Sequence, residues 1–313
     1  MTTRTAHSGA SSIPQRQNDD EFVSARAAAR AAYSAVGRIR FLRTTGTVGL
    51  AVAAPLVSVL WPSTTGITAS VAAVWLVAGR TLMKNWERSW QEKGRKFQEY
   101  YDSRLFRIDW NTALAGRIDA VREEMAACRP RGDSPRDRDW YESVPAIPWP
   151  YDVLACQMQN ALWGRRNHRA YANLLWGLFA ATCVAVALVG ALKHLELEDL
   201  LLKLFLPVAP ALVDLSELPR EHRGAEQAKE KTGDTIADLR DQCEAGRPVT
   251  AEDCREIQDA IYHLRGTNPA VPSWFHRRLR RKVTAANEAA MRTLKEQIEA
   301  MAARHSTRPQ QQP

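Results

Sequence analysis

Residues 171–192 read YANLLWGLFAATCVAVALVGAL, 22 positions without one charged side chain. A helix of that length rises about 33 Å, enough to cross a hydrocarbon core of roughly 30 Å. Three further apolar blocks lie outward from it. Residues 45–61 carry no charge and end at Trp61, an interfacial residue followed by Pro62. Residues 66–82 are apolar except for Arg80, whose stem near the end of the block reaches the headgroups. Residues 197–215 contain Lys203, Pro207, Pro210 and Asp214. The blocks at 45–61 and 66–82 are apolar or small all round, so a soluble fold would have to bury each on every side. Only the turn Pro62-Ser63-Thr64-Thr65 joins them, as in a membrane hairpin. The expected architecture is all-α: a four-span helical membrane protein with two pairs of transmembrane helices and cytoplasmic helical regions.

Charge sets the orientation. Arg38, Arg40 and Arg43 precede the first block, and Arg80, Lys84 and Arg88 close the second. Arg165, Arg166 and Arg169 precede the third, and Arg220 and Arg223 follow the fourth. The opposite connections are an uncharged turn and the mainly acidic stretch 194–199. Every cationic flank falls on one side, which by the positive-inside rule is the cytoplasm. This predicts a multi-pass membrane protein with both termini inside.

The domain plan follows. Residues 1–43 form a cytoplasmic tail and helix, 44–82 the first hairpin, and 83–169 a central cytoplasmic helical region. Residues 170–216 form the second hairpin, 217–305 a C-terminal cytoplasmic helical region, and 306–313 a disordered polar tail. Residues 20–40 have helical spacing and are expected to run into the first span or lie along the membrane. A helix over 153–169 should lead directly into the third span, and a charged helix should cover 221–246. Thr250 and Asp253 form a capping box before Ile257, Ile261 and Leu264, and Asn268-Pro269 ends that helix. Arg131-Gly132-Asp133, between prolines, reads as a turn.

A net charge of +8 points to anionic partners such as lipid headgroups or nucleotides. The five cysteines are odd in number and form no C-x-x-C pair, so reduced thiols are expected, not a disulfide framework. Cys243, Cys254 and His263 match no standard zinc spacing, and neither metal nor cofactor is expected. The polar stretch from Met1 to Gln17 has no apolar core, so no cleavable signal peptide is expected. Without G-x-S-x-G, a Walker A loop, H-E-x-x-H or a Gly-rich dinucleotide fingerprint, the chain does not read as an enzyme.

Several stretches together carry a resemblance. They are Ile13-Pro-Gln-Arg-Gln-Asn18, Tyr101-Asp102 through Phe106 to Asp109-Trp110-Asn111, and Trp140-Tyr141. Cys156-Gln157-Met158-Gln159-Asn160-Ala-Leu-Trp163 follows, then Arg166 and Tyr171. The last is Ile257-Gln258-Asp259-Ala-Ile261-Tyr262 with Arg265, Pro269, Val271-Pro272, Trp274-Phe275 and Leu279-Arg280. In this order, over about residues 13–295, they resemble the SMODS-associated four-transmembrane effector family. The resemblance implies the killing arm of a bacterial cyclic-oligonucleotide antiphage system at the inner membrane, in which a second messenger leads the effector to open a pore or otherwise disrupt the membrane. It departs at Met158, where the family usually has Arg, and at Gly164, where an Asp is common.

That implied ligand needs Arg clusters for phosphates and aromatics or amides for bases. Trp110, Asn111, Gln157, Asn160, Trp163, Arg165, Arg166 and Arg169 have this chemistry, and the last three adjoin the third span. Membrane anchoring is the plainer role for the arginines, and packing for the tryptophans. Lys203 would lie about 9 Å into the fourth span, at a cost on the order of 3 kcal/mol unless it snorkels or faces water. Lys203, Pro207, Pro210 and Asp214 are thus the candidate pore lining, with Lys203 snorkelling outward as the alternative. Four spans are too few for a wide channel, so a pore implies a homo-oligomer; Gly49-x-x-x-Ala53 and Ala69-x-x-x-Ala73 permit close approach. Arg277, Arg278, Arg280, Arg281 and Lys282 are candidates for anionic lipid, and no stable DNA or RNA binding is expected. The competing function is a non-conducting membrane sensor or scaffold.

Overall fold

The computed structural model describes residues 12–130, 132, 134–141, 147–162 and 164–272, together with 275, 278, 292–293, 296–300 and 303. Among these every regular element is helical. A short α1 (Ile13–Arg16) precedes α2 (Asp20–Leu60), whose 41 residues extend about 60 Å. Asp20 and Glu21 in its first turn complement the helix dipole. A 3-10 turn, Pro62–Thr64, reverses the chain into α3 (Thr65–Ala78). That helix passes through a π turn, Gly79–Met83, into α4 (Lys84–Phe106). The shorter α5 (Thr112–Ala115), α6 (Ile118–Cys128) and α7 (Tyr151–Leu162) follow. Then come α8 (Arg165–Leu192), α9 (Leu197–Asp199), a second π turn over Leu200–Phe205, α10 (Leu206–Glu244) and α11 (Ala251–Thr267).

Two long antiparallel hairpins organise the molecule, α2 against α3–α4 and α8 against α10. α10 also packs on α2 and α3, and so joins the hairpins. At one end the helices enclose a conventional core. Phe97, Tyr101 and Leu105 of α4 meet Ala25, Ala28 and Ala32 of α2, Val153 and Leu154 of α7, Ile236 of α10, and Ile257 and Ile261 of α11. The α11 contribution follows from its apolar stripe and its Thr250–Asp253 capping box, both as expected.

At the other end the pattern inverts. Val52, Leu56, Leu60, Ile67, Val74, Val77, Leu178, Val184, Leu188 and Leu192 are exposed. The contacts between helices fall instead to small residues such as Ala54, Ala69, Ala72 and Gly190. Each large side chain left in water forgoes about 1.5–3 kcal/mol, so this end calls for an apolar surrounding. Two helical stretches, Thr65–Phe106 and Tyr151–Leu192, are long and apolar enough to cross a membrane, and their most apolar windows are only 17% and 11% buried. Two stretches rather than four meet that test. The block at 45–61 lies within and just beyond α2, and that at 197–215 is divided among α9, the second π turn and α10.

Two local expectations change. The helix anticipated over 153–169 is interrupted at Gly164, which adopts φ +84 before α8 begins, a conformation that glycine reaches without strain. The helix expected over 221–246 is continuous with the preceding apolar block, because α10 runs through Pro210 and Pro219. Each proline removes one intrahelical hydrogen bond without ending the helix.

Gly46 illustrates how closely the small residues let the helices meet, since a methyl there would overlap the Trp75 ring. Gly46→Ala should destabilise the detergent-solubilised protein by about 1–3 kcal/mol in thermal unfolding, because the indole cannot withdraw easily. Gly177→Ala, within α8 and with nothing within 4 Å of the new methyl, should leave the midpoint unchanged or slightly raised.

Candidate functional site

Residues from several of the stretches that carry the sequence resemblance, Gln17, Asp102, Tyr141, Gln157, Asn160, Gln258 and Arg265, converge on one buried polar network. α4 places Glu99 and Asp102 on the same face, both 1% exposed. Asp102 Oδ2 accepts from Arg265 Nη2 at 2.6 Å and Gln258 Nε2 at 3.0 Å, and its Oδ1 accepts from the Tyr141 hydroxyl at 2.6 Å. Glu99 accepts from Arg255 at 2.7 Å and from Gln258 at 2.9 Å. Gln157 donates to the Cys254 carbonyl at 2.6 Å, and Asn160 donates to the Tyr141 hydroxyl at 2.6 Å. Gln17 pairs with the Tyr141 backbone in both directions.

Of the residues singled out for ligand contact, Gln157 and Asn160 therefore hold this network. Asn111 caps α5 and donates to Asp259 at 2.9 Å, while the Trp110 indole donates to the Gly116 carbonyl at 2.8 Å. Arg165 meets Glu230 at 3.3 Å, Arg169 meets Glu226, and Arg166 is exposed. Among the described residues, none of these lines the cleft or the crevice described below. Trp163, and Arg277, Arg280, Arg281 and Lys282 of the basic run, lie outside the described residues; Arg278 is exposed.

A belt of ion pairs marks the boundary between the two ends. Arg80 in the first π turn meets Glu217 and lies 3.5 Å from Asp214, and Lys84 reaches Glu217 at 3.3 Å and Glu221 at 3.0 Å. Arg40 and Arg43 of α2 both face Glu87 of α4. The Trp75 indole donates to Thr47 at 3.1 Å, and Thr47 donates to Asp214 at 3.5 Å. Lys203, in the second π turn, pairs with Asp199 at 2.7 Å, one turn back toward the connection between α8 and α9. Pro207 and Pro210 are buried against neighbouring helices. A crevice of about 390 Å³ between the apolar helices is lined by residues such as Ala51, Ala185, Leu204 and Val208, and none of these four pore candidates lines it.

Two features went unnoticed in the sequence. The first is an open cleft of about 580 Å³ between α4, α10 and α11, bordered by Arg88, Arg95, Lys231, Thr232 and His263. The heptad-like spacing of Arg88 and Arg95 on one helix was its only linear signal. The second is a buried pair, His168 of α8 and His222 of α10, with Nδ1 atoms 2.9 Å apart. One ring must donate and the other accept, so the contact suits two neutral imidazoles. Its signal was one histidine flanking each of the last two apolar blocks.

Burial, with Lys229 nearby, lowers His168 to about 4. Burial, His168 and Arg40 lower His222 to about 3. Glu226 opposes the shift of His168 without reversing it. Because the folded values lie below the ordinary 6.5, the unfolded chain binds more protons as pH falls. The stability contributed by the neutral pair is complete above pH ~6.5 and is lost progressively as pH falls toward the folded values of about 4 and about 3. Urea midpoints of the solubilised protein should fall between pH 7.5 and 5. The double variant His168→Asn/His222→Asn should show a flatter profile, and an equally steep one would assign the effect elsewhere.

Comparison with known proteins gives a concordant picture. The family model described as the SMODS-associating 4TM effector domain matches residues 11–294. A protein of Bacillus cereus (strain VD146), described as a probable CBASS effector molecule, is 26% identical over 217 residues, covering 68% of this chain and 73% of that protein. No solved structure matches. With the family match spanning the buried network, the ion-pair belt and both apolar hairpins, the chain belongs to the SMODS-associating 4TM effector family.

Proposed function

We propose that this protein is an antiphage membrane effector whose apolar hairpins form four spans at 45–61, 66–82, 171–192 and 197–215. Both termini face the cytoplasm, and a cyclic-oligonucleotide messenger opens the assembly to depolarise the inner membrane. The observation that carries this reading is the inversion of polarity, with large apolar side chains outward and alanines and glycines inward. The ion-pair belt at one level of the bundle supports the orientation, since Arg40, Arg43, Arg80 and Lys84 gather there while the opposite turns lack cations apart from Lys193. Family membership and the relative described as a CBASS effector support the defensive role.

The single chain packs its apolar helices around a crevice of about 390 Å³ lined by apolar residues and one threonine, Thr182. Conduction therefore requires several copies, or separation of the hairpins along the belt. In that arrangement Lys203, Pro207, Pro210 and Asp214 become available to water as α10 moves. The dry packing of one subunit also favours a second reading, a non-conducting sensor that binds a cytoplasmic partner.

A potential-sensitive dye in cells that express the protein with its cyclic-oligonucleotide synthase distinguishes the two. The effector reading expects depolarisation once messenger is made, and an intact potential selects the sensor. Glu217→Gln/Glu221→Gln, which removes both carboxylate partners of Lys84 and leaves Arg80 only Asp214, is expected to depolarise cells without messenger. Planar-bilayer currents unchanged by Lys203→Ala would remove that residue from the conducting path.

A further inference from the structure

The long side chains of Arg88 and Arg95 from α4 and Lys231 from α10 converge on the cleft between α4, α10 and α11. Against them stands one carboxylate, Glu92, and the volume of about 580 Å³ falls within the roughly 300–1,000 Å³ of small-molecule sites. We propose that this cleft binds the phosphodiester ring of the activating nucleotide; the assignment rests on the reading that a nucleotide messenger opens the effector.

Arg95 is the best-positioned group. Its guanidinium lies 4.5 Å from the Tyr262 ring centroid and against the backbone of Gly266, where an added Cβ would come 3.2 Å from the guanidinium carbon. Stacking on one side and a side-chain-free helix face on the other fix the plane of the fork, which lowers the entropy lost on gripping a phosphate. Its Nε is buried without a hydrogen-bond partner among the described residues, while Glu92 occupies another nitrogen. A phosphate must therefore compete with Glu92 for Arg95. Thr232 and Thr235 donate their hydroxyl protons to carbonyls of their own helix at 3.1 Å, which leaves oxygen lone pairs for base amino groups or sugar hydroxyls.

The placement also explains how occupancy would reach the membrane. The cleft is bounded by α4 and α10, the helices that carry Lys84 and Glu217 of the ion-pair belt. Lys231 stands 14 residues from Glu217 on continuous α10, about 21 Å at helical rise. An anion drawing Lys231 toward Arg88 and Arg95 changes the separation of α4 and α10, and the belt senses the same separation. The arginines at the start of α8 are placed differently: Arg165 and Arg169 are paired across to Glu230 and Glu226 of α10, and neither lines this cleft.

Equilibrium binding of radiolabelled 3′,3′-cyclic dinucleotides and cyclic trinucleotides to the full-length solubilised protein tests the assignment. Arg95→Gln and Lys231→Gln should each weaken the Kd of the bound nucleotide by about tenfold or more. Glu92→Gln should tighten it several-fold, because the competing carboxylate is gone. A structural role for these residues would instead weaken binding in all three variants, and that result overturns the proposal. Thermal midpoints identify any variant that fails to fold, and Gly266→Ala, which displaces the Arg95 guanidinium, then serves as the alternative. Wild-type affinity in the cleft variants with loss in Arg165→Gln/Arg169→Gln moves the site to the membrane flank and overturns the assignment. Absence of nucleotide binding in a protein that still depolarises synthase-expressing cells overturns it as well, yet leaves the effector reading standing. Absence of both removes the effector reading itself.

Discussion

A carboxylate held 99% out of water is tolerable only when nearly every lone pair is engaged, and Asp102 meets that condition through three helices and a loop. Its two oxygens collect Arg265 and Gln258 from α11 and the hydroxyl of Tyr141, which in turn accepts from Asn160 of α7. Removing any one donor leaves a charge or dipole stranded at low dielectric, a loss of about 3–5 kcal/mol for a buried ion pair. The network thus specifies which helices meet at this end with a directionality that apolar packing alone lacks. It also explains why motifs far apart in sequence, from Gln17 to Arg265, share one location.

With that end fixed, the helices transmit its geometry because they do not stop at the boundary. α2 and α10 each run from the buried core into the apolar region, and α3 joins α4 through a π turn. The ion-pair belt sits where the surroundings change, and the charges there are half-buried rather than fully solvated. For the more buried pairs the desolvation cost offsets much of the attraction, and the partly exposed ones contribute little each, so the belt is better suited to setting helix spacing than to holding the fold together.

The all-helical fold was legible because its signals are local. An uncharged run of 22 residues, the Thr250–Asp253 capping box and the Asn268-Pro269 stop each act within a turn or two. The interruption at Gly164 was less legible, since a single glycine within a helical pattern is usually tolerated. The site was the least legible part. Gln157, Asn160 and Asn111 have the donors that a nucleotide needs, but the same donors satisfy the Cys254 carbonyl, the Tyr141 hydroxyl and the Asp259 carboxylate, and composition cannot distinguish the two uses. Arg88, Arg95 and Lys231, the last more than 130 positions from the first two, come together only because α4 and α10 lie side by side.

α10 is the element through which these parts must communicate. It packs on both α8 and the α2–α3 hairpin, contributes Ile236 and Leu239 to the core, and carries Asp214, Glu217 and Glu221 of the belt. A helix held at so many points cannot shift only at one end unless it contains softer places. Pro210 and Pro219 each lack a backbone donor, and the π turn over Leu200–Phe205 precedes them. These lie on the membrane side of the polar core, whereas the segment from His222 to Cys243 has no such interruption. Motion imposed near Lys231 would therefore travel along a stiff segment and be absorbed around 200–219, the region that bears Lys203, Pro207, Pro210 and Asp214.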